Sequence, residues 1–214
     1  MAAAESRGAF VTLEGGEGSG KTTLAAALAQ WLRDKGQTVC LTREPGGTEL
    51  GRRVEGILGE THRIPLSALT ELLLFEADRA QHVSEVILPA LGTGRLVVCD
   101  RFTDSTLAYQ GYGRGLDREL VRRLNDAATG GLTSDLTLLL DVPPEVGLSR
   151  EGEQRDVTGR ESVEFHERVR GGFLELARAE PARFVVIDGQ LAVKDVRESA
   201  LAAIQERLAT LREA

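Results

Sequence analysis

Eight consecutive residues near the start of the chain have the types and spacing needed to hold a chain of phosphates. Gly15-Gly16-Glu17-Gly18-Ser19-Gly20-Lys21-Thr22 fits the pattern G-x-x-x-x-G-K-[ST]. Glycines let successive N–H groups point at phosphate oxygens, and the start of a following helix adds a positive dipole end. We expect Lys21 to reach the β- and γ-phosphates of a nucleoside triphosphate, Thr22 to ligate Mg²⁺, and Thr23 to complete the site. A glycine-rich turn before a helix is the simpler alternative.

Two charged residues further along could complete a site for phosphoryl transfer. Asp100 follows the apolar run Leu96–Cys99, which places it at a strand end, where it could bind Mg²⁺ directly or through water. The alternative for Asp100 is a helix N-cap. Arg101 could hold an acceptor phosphate with both prongs of its guanidinium.

The segment from Arg150 to Arg160, REGEQRDVTGR, is polar, charged and without periodicity. A mobile lid that carries arginines to transferring phosphates would have this composition. Arg150, Arg155 and Arg160 are then candidates to neutralise charge in the transition state. A solvated loop without a catalytic role is the alternative.

Short apolar segments that alternate with helical patterns predict the framework for these residues. Such strands are typical of a parallel sheet buried on both faces. We expect an α/β fold, a doubly wound five-stranded parallel sheet flanked by helices, in one P-loop domain of residues 1–214 with a lid at about 150–160. Binding residues then belong at the carboxyl ends of the strands. The predicted strands are Phe10–Leu13, Thr38–Thr42, Leu96–Cys99, Leu136–Val142 and Phe184–Ile187.

Helical periodicity predicts the covering layers. Gly36 is expected to stop the first helix, and Ser67 to cap the second. A short helix is expected after Pro143-Pro144, and a long one from about Glu161. The stripe Val196, Ala200, Ile204, Leu208 and Leu211 indicates core packing of the last helix. The other predicted helices are 22–35, 67–83 and 193–211.

The composition limits the partners and the compartment. With 42% hydrophobic and 28% charged residues and a net charge of −7, the 214-residue chain has enough apolar residues for a core and no broad basic face for nucleic acid. Cys40 and Cys99 lie in apolar runs, which indicates buried reduced thiols. The first seven residues lack the apolar core of a signal peptide, and no apolar run approaches the roughly 18 residues of a membrane span. We therefore expect a cytoplasmic protein without membrane or nucleic-acid partners.

Several classes of nucleotide-binding protein remain open. A GTPase is disfavoured, because Asn-Lys-x-Asp is missing and the residues after Cys99 do not fit Asp-x-x-Gly. A kinase with a phosphate acceptor is favoured. An ATPase that drives a partner interaction and a nucleotide-binding module without activity are the rivals.

The motifs together resemble bacterial thymidylate kinases, which phosphorylate dTMP with ATP in dTTP biosynthesis. The resemblance spans most of the chain and implies ATP as co-substrate, Mg²⁺ as cofactor and a homodimer. Another P-loop kinase, for example one acting on dUMP, is the nearest alternative. The matching stretches are LEGGEGSGKTT, TREPGGTELG, LLLFEADRAQHV, VVCDRFTDSTLAYQGYGRGL, DLTLLLDVPPEVGLSR and EFHERVRGGFLELA.

The resemblance also implies roles at the acceptor. Glu17 would hold the sugar 3′-hydroxyl and position the acceptor. Phe75 would stack on thymine, with a core phenylalanine as the alternative. Arg79 would read the base carbonyl, with a surface salt bridge as the alternative. Tyr109 would close over the deoxyribose, with plain core packing as the alternative. Further predicted dTMP contacts are Arg43, Glu44, Arg101, Ser105, Thr106 and Gln110, and Glu44 is also a predicted metal contact.

Two places bear on where the catalytic arginines lie, and one of them, in the lid, departs from the pattern of many family members. Gly18 stands where some members carry arginine, which implies that the catalytic arginines lie in the lid. Many members have Asp-Arg-x-Glu in the lid, whereas this chain has Asp156-Val157-Thr158-Gly159, with Arg155 and Arg160 on either side. Which lid arginine is catalytic therefore stays open.

Overall fold

A computed structural model describes residues 7–60, 65–151 and 161–213 of the chain. Its centre is a five-stranded, all-parallel sheet in the order β2-β3-β1-β4-β5. The predicted doubly wound α/β fold is confirmed. The strands are β1 (Phe10–Glu14), β2 (Val39–Arg43), β3 (Leu96–Asp100), β4 (Leu136–Asp141) and β5 (Phe184–Asp188).

Helices cover both faces of this sheet. They include two π-helical segments, Val83–Ile87 and Leu107–Gly113, which continue helices without a break. The α-helices are α1 (Lys21–Asp34), α2 (Glu49–Gly59), α3 (Ala68–His82), α4 (Leu88–Gly92), α5 (Thr103–Thr106), α6 (Arg118–Thr129), α7 (Pro144–Glu151), α8 (Val163–Ala179) and α9 (Val193–Glu213).

Local sequence explains where several helices begin. The Ser67 hydroxyl accepts a hydrogen bond from the Thr70 amide at 3.1 Å, so the predicted cap of α3 is confirmed. Thr48 caps α2 in the same way, through the Gly51 amide at 2.9 Å. Helices α2 and α6 were not predicted from the sequence.

The core lies on both faces of the sheet. On one face α1 and α9 pack against the strands, with Leu28, Leu138 and Ala200 fully enclosed. On the other face α3, α6 and α8 bury Leu72 and Phe173, among others. Each large apolar side chain removed from water contributes about 1.5–3 kcal/mol to stability.

Two further predictions have mixed outcomes. The stripe on α9 packs in the core at Val196, Ala200 and Ile204, as predicted. Cys99 is a buried free thiol, whereas Cys40, on the edge strand β2, is only half-buried. Because β2 is an edge strand, one side of Cys40 is not covered by a neighbouring strand.

Within the described ranges, no helix is long and apolar enough to span a membrane.

Candidate active site

The loop between β1 and α1 curls around its own lysine. Gly20 has a φ of 94° and leads directly into α1, whose first turn contains no acidic residue. The Lys21 ammonium donates to the carbonyl oxygens of Gly15 and Gly16, at 3.1 and 2.7 Å, and to the Ser19 hydroxyl at 3.2 Å. Burial, together with the positive charge of Arg101, lowers the pKa of Lys21 to about 8. A phosphate arriving at this loop would supply the anion that Lys21 lacks.

The backbone at the fourth position of this loop, Gly18, leaves no room for a side chain. Its φ of 61° lies in the left-handed region. A methyl group at Gly18 would overlap the carbonyl oxygen of Gly147 in α7, and a methyl group at Gly147 would overlap that of Glu17. The two glycines let α7 lie directly on the loop.

Thr22 and Asp100 meet at the carboxyl edge of the sheet. The Thr22 hydroxyl donates to Asp100 Oδ2 at 2.5 Å. Asp100 Oδ1 is buried and has no hydrogen-bond partner among the described residues. The alternative of a helix N-cap for Asp100 is wrong, because Phe102 occupies the N-cap position of α5. A buried carboxylate oxygen without a partner beside a hydroxyl suits an oxygen-seeking cation such as Mg²⁺.

Arg101 joins the phosphate loop to the opposite wall of the cleft. Its guanidinium donates to both carboxylate oxygens of Glu17, each at 3.0 Å, and lies 5.1 Å above the ring of Tyr109. It also donates to the Ser105 hydroxyl at 3.2 Å. The φ of 69° at Arg101 is unusual for a residue with a side chain, and such backbone strain is common at functional sites.

Glu14, which the sequence analysis did not single out, anchors the turn that carries Arg101. It is fully buried and accepts hydrogen bonds from the Phe102 amide at 2.8 Å and the Ser105 hydroxyl at 2.5 Å. Burial and, next, the nearby Asp104 raise the pKa of Glu14 to about 8. Its position at the end of β1 could be read from sequence, but its partners, about 90 residues away, could not.

The α3 face forms the far wall of the cleft. Phe75 is half-buried and lines the cavity, while Arg79 is almost completely enclosed. The surface alternative for Arg79 is therefore wrong. Its guanidinium donates to Glu44 at 2.9 Å, to Glu76 at 2.9 Å and to Asn125 at 2.8 Å.

Glu44 has both oxygens engaged. One accepts from Arg79, and the other lies 2.8 Å from Nδ1 of His82. Glu44 is therefore placed to orient Arg79 and His82, and its predicted metal contact stays a prediction. Arg43 lies at the cavity rim and pairs with Glu55 through two bonds of 2.7 and 2.6 Å.

Tyr109 has its ring in the core and its hydroxyl in the cleft. The ring packs edge-on against Phe173, with centroids 6.2 Å apart, and the hydroxyl donates to Glu17 at 2.7 Å. Both the functional interpretation and the core alternative thus describe part of this side chain. Tyr109 lies in the π-helical segment Leu107–Gly113, a helix type often found at functional sites.

Arg150 is the described part of the predicted arginine-bearing segment. It belongs to α7, donates to the Gly189 carbonyl oxygen at 3.1 Å and lines the cleft on the side of the phosphate loop. Arg155 and Arg160, with the rest of the predicted lid from residue 152 onward, lie outside the described residues.

One cavity of about 830 Å³ contains most of these groups. It runs from the phosphate loop, past Thr22 and Asp100, to the wall formed by α3 and the π-helical segment. A space of this size lies in the range of small-molecule binding sites. The predicted site residues that line it are Glu17, Gly18, Ser19, Gly20, Lys21, Thr22, Thr23, Arg43, Glu44, Phe75, Arg79, Asp100, Arg101, Ser105, Thr106, Tyr109, Gln110 and Arg150.

Known proteins with similar sequences and structures point the same way. A thymidylate kinase from Synechococcus sp. (strain JA-2-3B'a(2-13)) is 56% identical over 93% of this chain and 95% of its own. One from Desulfovibrio desulfuricans is 53% identical, over 93% and 96%. The crystal structure of thymidylate kinase from Ehrlichia chaffeensis covers 92% of this chain and 99% of its own, with 37% identity and a TM-score of 0.77. The family model for thymidylate kinase matches residues 13–200, and the chain belongs to the thymidylate kinase family.

Proposed function

We propose that this protein transfers the γ-phosphoryl group of ATP to dTMP, forming dTDP and ADP. One observation carries this proposal. A single cavity contains both the phosphate loop and the wall with Phe75, and the Glu17–Arg101 ion pair connects the two. ATP would place its phosphates on the loop, and dTMP would lie between Arg101 and Phe75. The two phosphates would then meet beside Arg101.

The protein's part in the reaction is positioning and charge stabilisation. An oxygen of the dTMP phosphate attacks the γ-phosphorus of ATP in line, and that oxygen is already ionised at neutral pH, so no strong general base is needed. Lys21 would bind the β- and γ-phosphates, and its pKa would rise again next to their negative charge. Arg101 would hold the acceptor phosphate through hydrogen bonds to its oxygens.

We infer that Thr22 and Asp100 hold Mg²⁺. Among the described residues no cluster of three or more His, Cys, Asp or Glu could by itself hold a metal ion, so phosphate oxygens and water would complete its coordination. When bound, the ion would neutralise charge on the β- and γ-phosphates. Asp100 offers its partnerless Oδ1, and the Thr22 hydroxyl is already turned toward the same carboxylate.

At the acceptor, Phe75 offers its ring to the base and Arg79 its remaining N–H. Four of the five guanidinium hydrogens of Arg79 have partners, the fourth being the Phe102 carbonyl oxygen at 3.3 Å. Among the described residues none accepts the fifth, which suits a base carbonyl oxygen. Tyr109 would pack against the deoxyribose, while Glu17 positions its 3′-hydroxyl.

We also propose one P-loop domain with a lid at about residues 150–160, working as a homodimer in the cytoplasm. The free thiols of Cys40 and Cys99 suit a reducing compartment. Exposed large apolar side chains on the packed pair α2 and α3 support self-association, since exposed apolar patches commonly mark interfaces. They are Leu50, Ile57, Leu69 and Leu73.

The activity is tested by ADP release coupled to an indicator reaction. With ATP and Mg²⁺ present, dTMP, dUMP, CMP, AMP and shikimate are compared as acceptors, with a Lys21→Ala preparation as the inactive control. We expect dTMP to give the highest kcat/KM. An equal rate with every acceptor would refute the proposal, and ADP release without any acceptor would favour the ATPase alternative.

A further inference from the structure

Gln110 lies in the cavity wall with its two amide ends in different surroundings. Its Nε2 donates to Oε1 of Glu71 at 2.8 Å, on the side away from the cavity. Its Oε1 accepts no hydrogen bond from any described residue. That oxygen is also not among the polar atoms sealed from solvent without a partner, so it opens onto the cavity.

Glu71 determines the orientation of the Gln110 side-chain amide. Besides Gln110, it accepts from Nε and Nη2 of Arg114, at 3.3 and 3.1 Å. A carboxylate between such donors only accepts hydrogen bonds, so the Gln110 end that faces it must be the NH₂ group. Turning the amide over would place two oxygens against each other in a buried position.

Arg114 keeps the carboxylate in place. It follows the π-helical segment, donates to Glu161 at 2.6 Å and lies 5.0 Å above the ring of Phe165. Neither Glu71 nor Arg114 lines the cavity. Both therefore lie outside the cavity, where Glu71 orients the Gln110 amide and Arg114 holds Glu71.

The fixed oxygen has a definite place relative to the proposed base site. Glu71, Phe75 and Arg79 follow one another at intervals of four residues, so they lie on one face of α3. A ring stacked on Phe75 would lie between the Gln110 oxygen, which accepts, and Arg79, which donates. Thymine and uracil present a ring N3–H next to a carbonyl oxygen at C4, whereas cytosine has an acceptor and a donor at these two positions.

We propose that Glu71, held by Arg114, is a positioning residue that fixes Gln110 as an acceptor and so selects a pyrimidine whose N3 carries hydrogen. The inference rests on the proposed function, because it concerns the base of the same acceptor. It assigns the choice between keto and amino pyrimidines to a pair of residues that touch neither substrate.

The test compares dTMP with 5-methyl-dCMP, which has the same sugar, phosphate and methyl group. In Glu71→Gln the new side chain can donate as well as accept, so Gln110 can turn over. We expect the ratio of kcat/KM for dTMP to that for 5-methyl-dCMP to fall roughly tenfold, the equivalent of one neutral hydrogen bond, chiefly through a higher KM for dTMP. Arg79 also discriminates between the two bases, but it does so equally in every variant.

Glu175→Gln is the matched control, because Glu175 is an exposed glutamate that pairs with Arg118 outside the cavity. It should leave the ratio unchanged. Equilibrium binding of both nucleotides, measured by calorimetry, gives the same comparison without turnover. A loss of stability alone would weaken both nucleotides together and leave the ratio as it was.

Gln110→Met provides a second test if Glu71→Gln fails to fold. It keeps the length of the side chain and removes the acceptor, so the ratio should again fall. A folded variant of either kind with the wild-type ratio would overturn the inference while leaving dTMP phosphorylation intact. A wild-type enzyme without preference for dTMP over 5-methyl-dCMP would refute the inference and the proposed substrate together.

Discussion

At the scale of single residues, we expect Phe75 to contribute to recognition of the base of dTMP and not to binding of ATP. Phe75→Ala should weaken dTMP binding by about 1–3 kcal/mol, the usual contribution of base stacking on an aromatic ring. The affinity for a non-hydrolysable ATP analogue should not change, because Phe75 lies on the opposite wall. Calorimetry with each ligand measures both. Phe75→Leu, which retains apolar volume without a flat ring, should recover only part of the loss. Unchanged dTMP affinity in a folded Phe75→Ala protein would make Phe75 a core residue.

Glu14 makes the stability of the protein depend on pH. Its pKa rises from 4.5 to about 8 on folding, because burial and then Asp104 disfavour the ionised form more than the Ser105 hydrogen bond and Arg101 favour it. Between these values the folded chain retains a proton that the unfolded chain releases. The stabilising contribution is therefore complete below about pH 4.5 and is lost as the pH rises to about 8, with a slope of at most about 1.4 kcal/mol per pH unit.

The Glu14→Gln variant tests this dependence, since glutamine resembles the neutral acid and does not titrate. We expect the unfolding free energy of the wild type, relative to the variant, to decrease from about pH 5 to about pH 8 in urea titrations. Exposed Glu60→Gln is the control and should follow the wild type. Parallel curves for Glu14→Gln and the wild type would show that Glu14 is ionised in the fold.

Which residues could be predicted depended on whether their partners lie nearby in sequence. Lys21 and Thr22 belong to a contiguous motif, and Asp100 follows an obvious strand. Glu14 and Glu71 could not be found in this way, because each has its role through residues about 40 to 90 positions away. Such contacts exist only after the sheet has brought distant segments together.

At the scale of elements, the apolar runs predicted all five strands to within one residue at either end. The three central strands β1, β3 and β4 are apolar almost throughout because they are buried on both faces, whereas the edge strands β2 and β5 also have exposed side chains. Helix α6 was missed because polar residues dominate it, with only Val121, Asn125 and Thr129 buried. The π-helical segment Leu107–Gly113 has no signal in a single sequence, since its wider turns depend on what packs around Tyr109 and Gln110.

The contact between the phosphate loop and α7 gives a prediction at this scale. Gly18→Ala should destabilise the protein by more than about 1 kcal/mol. Alanine is strained in the left-handed backbone conformation of this residue, and its methyl group would overlap the Gly147 carbonyl oxygen. Thermal unfolding without ligand measures the loss. Gly16→Ala is the control within the same loop, since a methyl group there meets no atom within 4 Å. An equal unfolding temperature for the two variants would mean that α7 does not lie against the loop.

At the scale of the whole molecule, the sheet places the two halves of the cleft on separate sequence segments. The phosphate loop follows β1, Asp100 ends β3 and Arg101 comes directly after it, and the base wall comes from α3 and the residues after α5. The ion pair between Glu17 and Arg101 and the hydrogen bond from the Tyr109 hydroxyl to Glu17 join them directly. The carboxyl edge of a doubly wound sheet therefore explains why motifs up to 90 residues apart act as one site.

The exposed apolar side chains of α2 and α3 make the last prediction one of assembly. A charge placed at the centre of a two-fold interface is introduced twice, once from each copy, so Ile57→Glu combined with Leu73→Glu should dissociate a homodimer. Sedimentation equilibrium should give twice the chain mass for the wild type and the single mass for the double variant. Val186→Glu replaces an equally exposed apolar residue on β5 and should remain dimeric. A monomeric wild type, or a double variant that stays dimeric, would exclude the α2–α3 face as the interface.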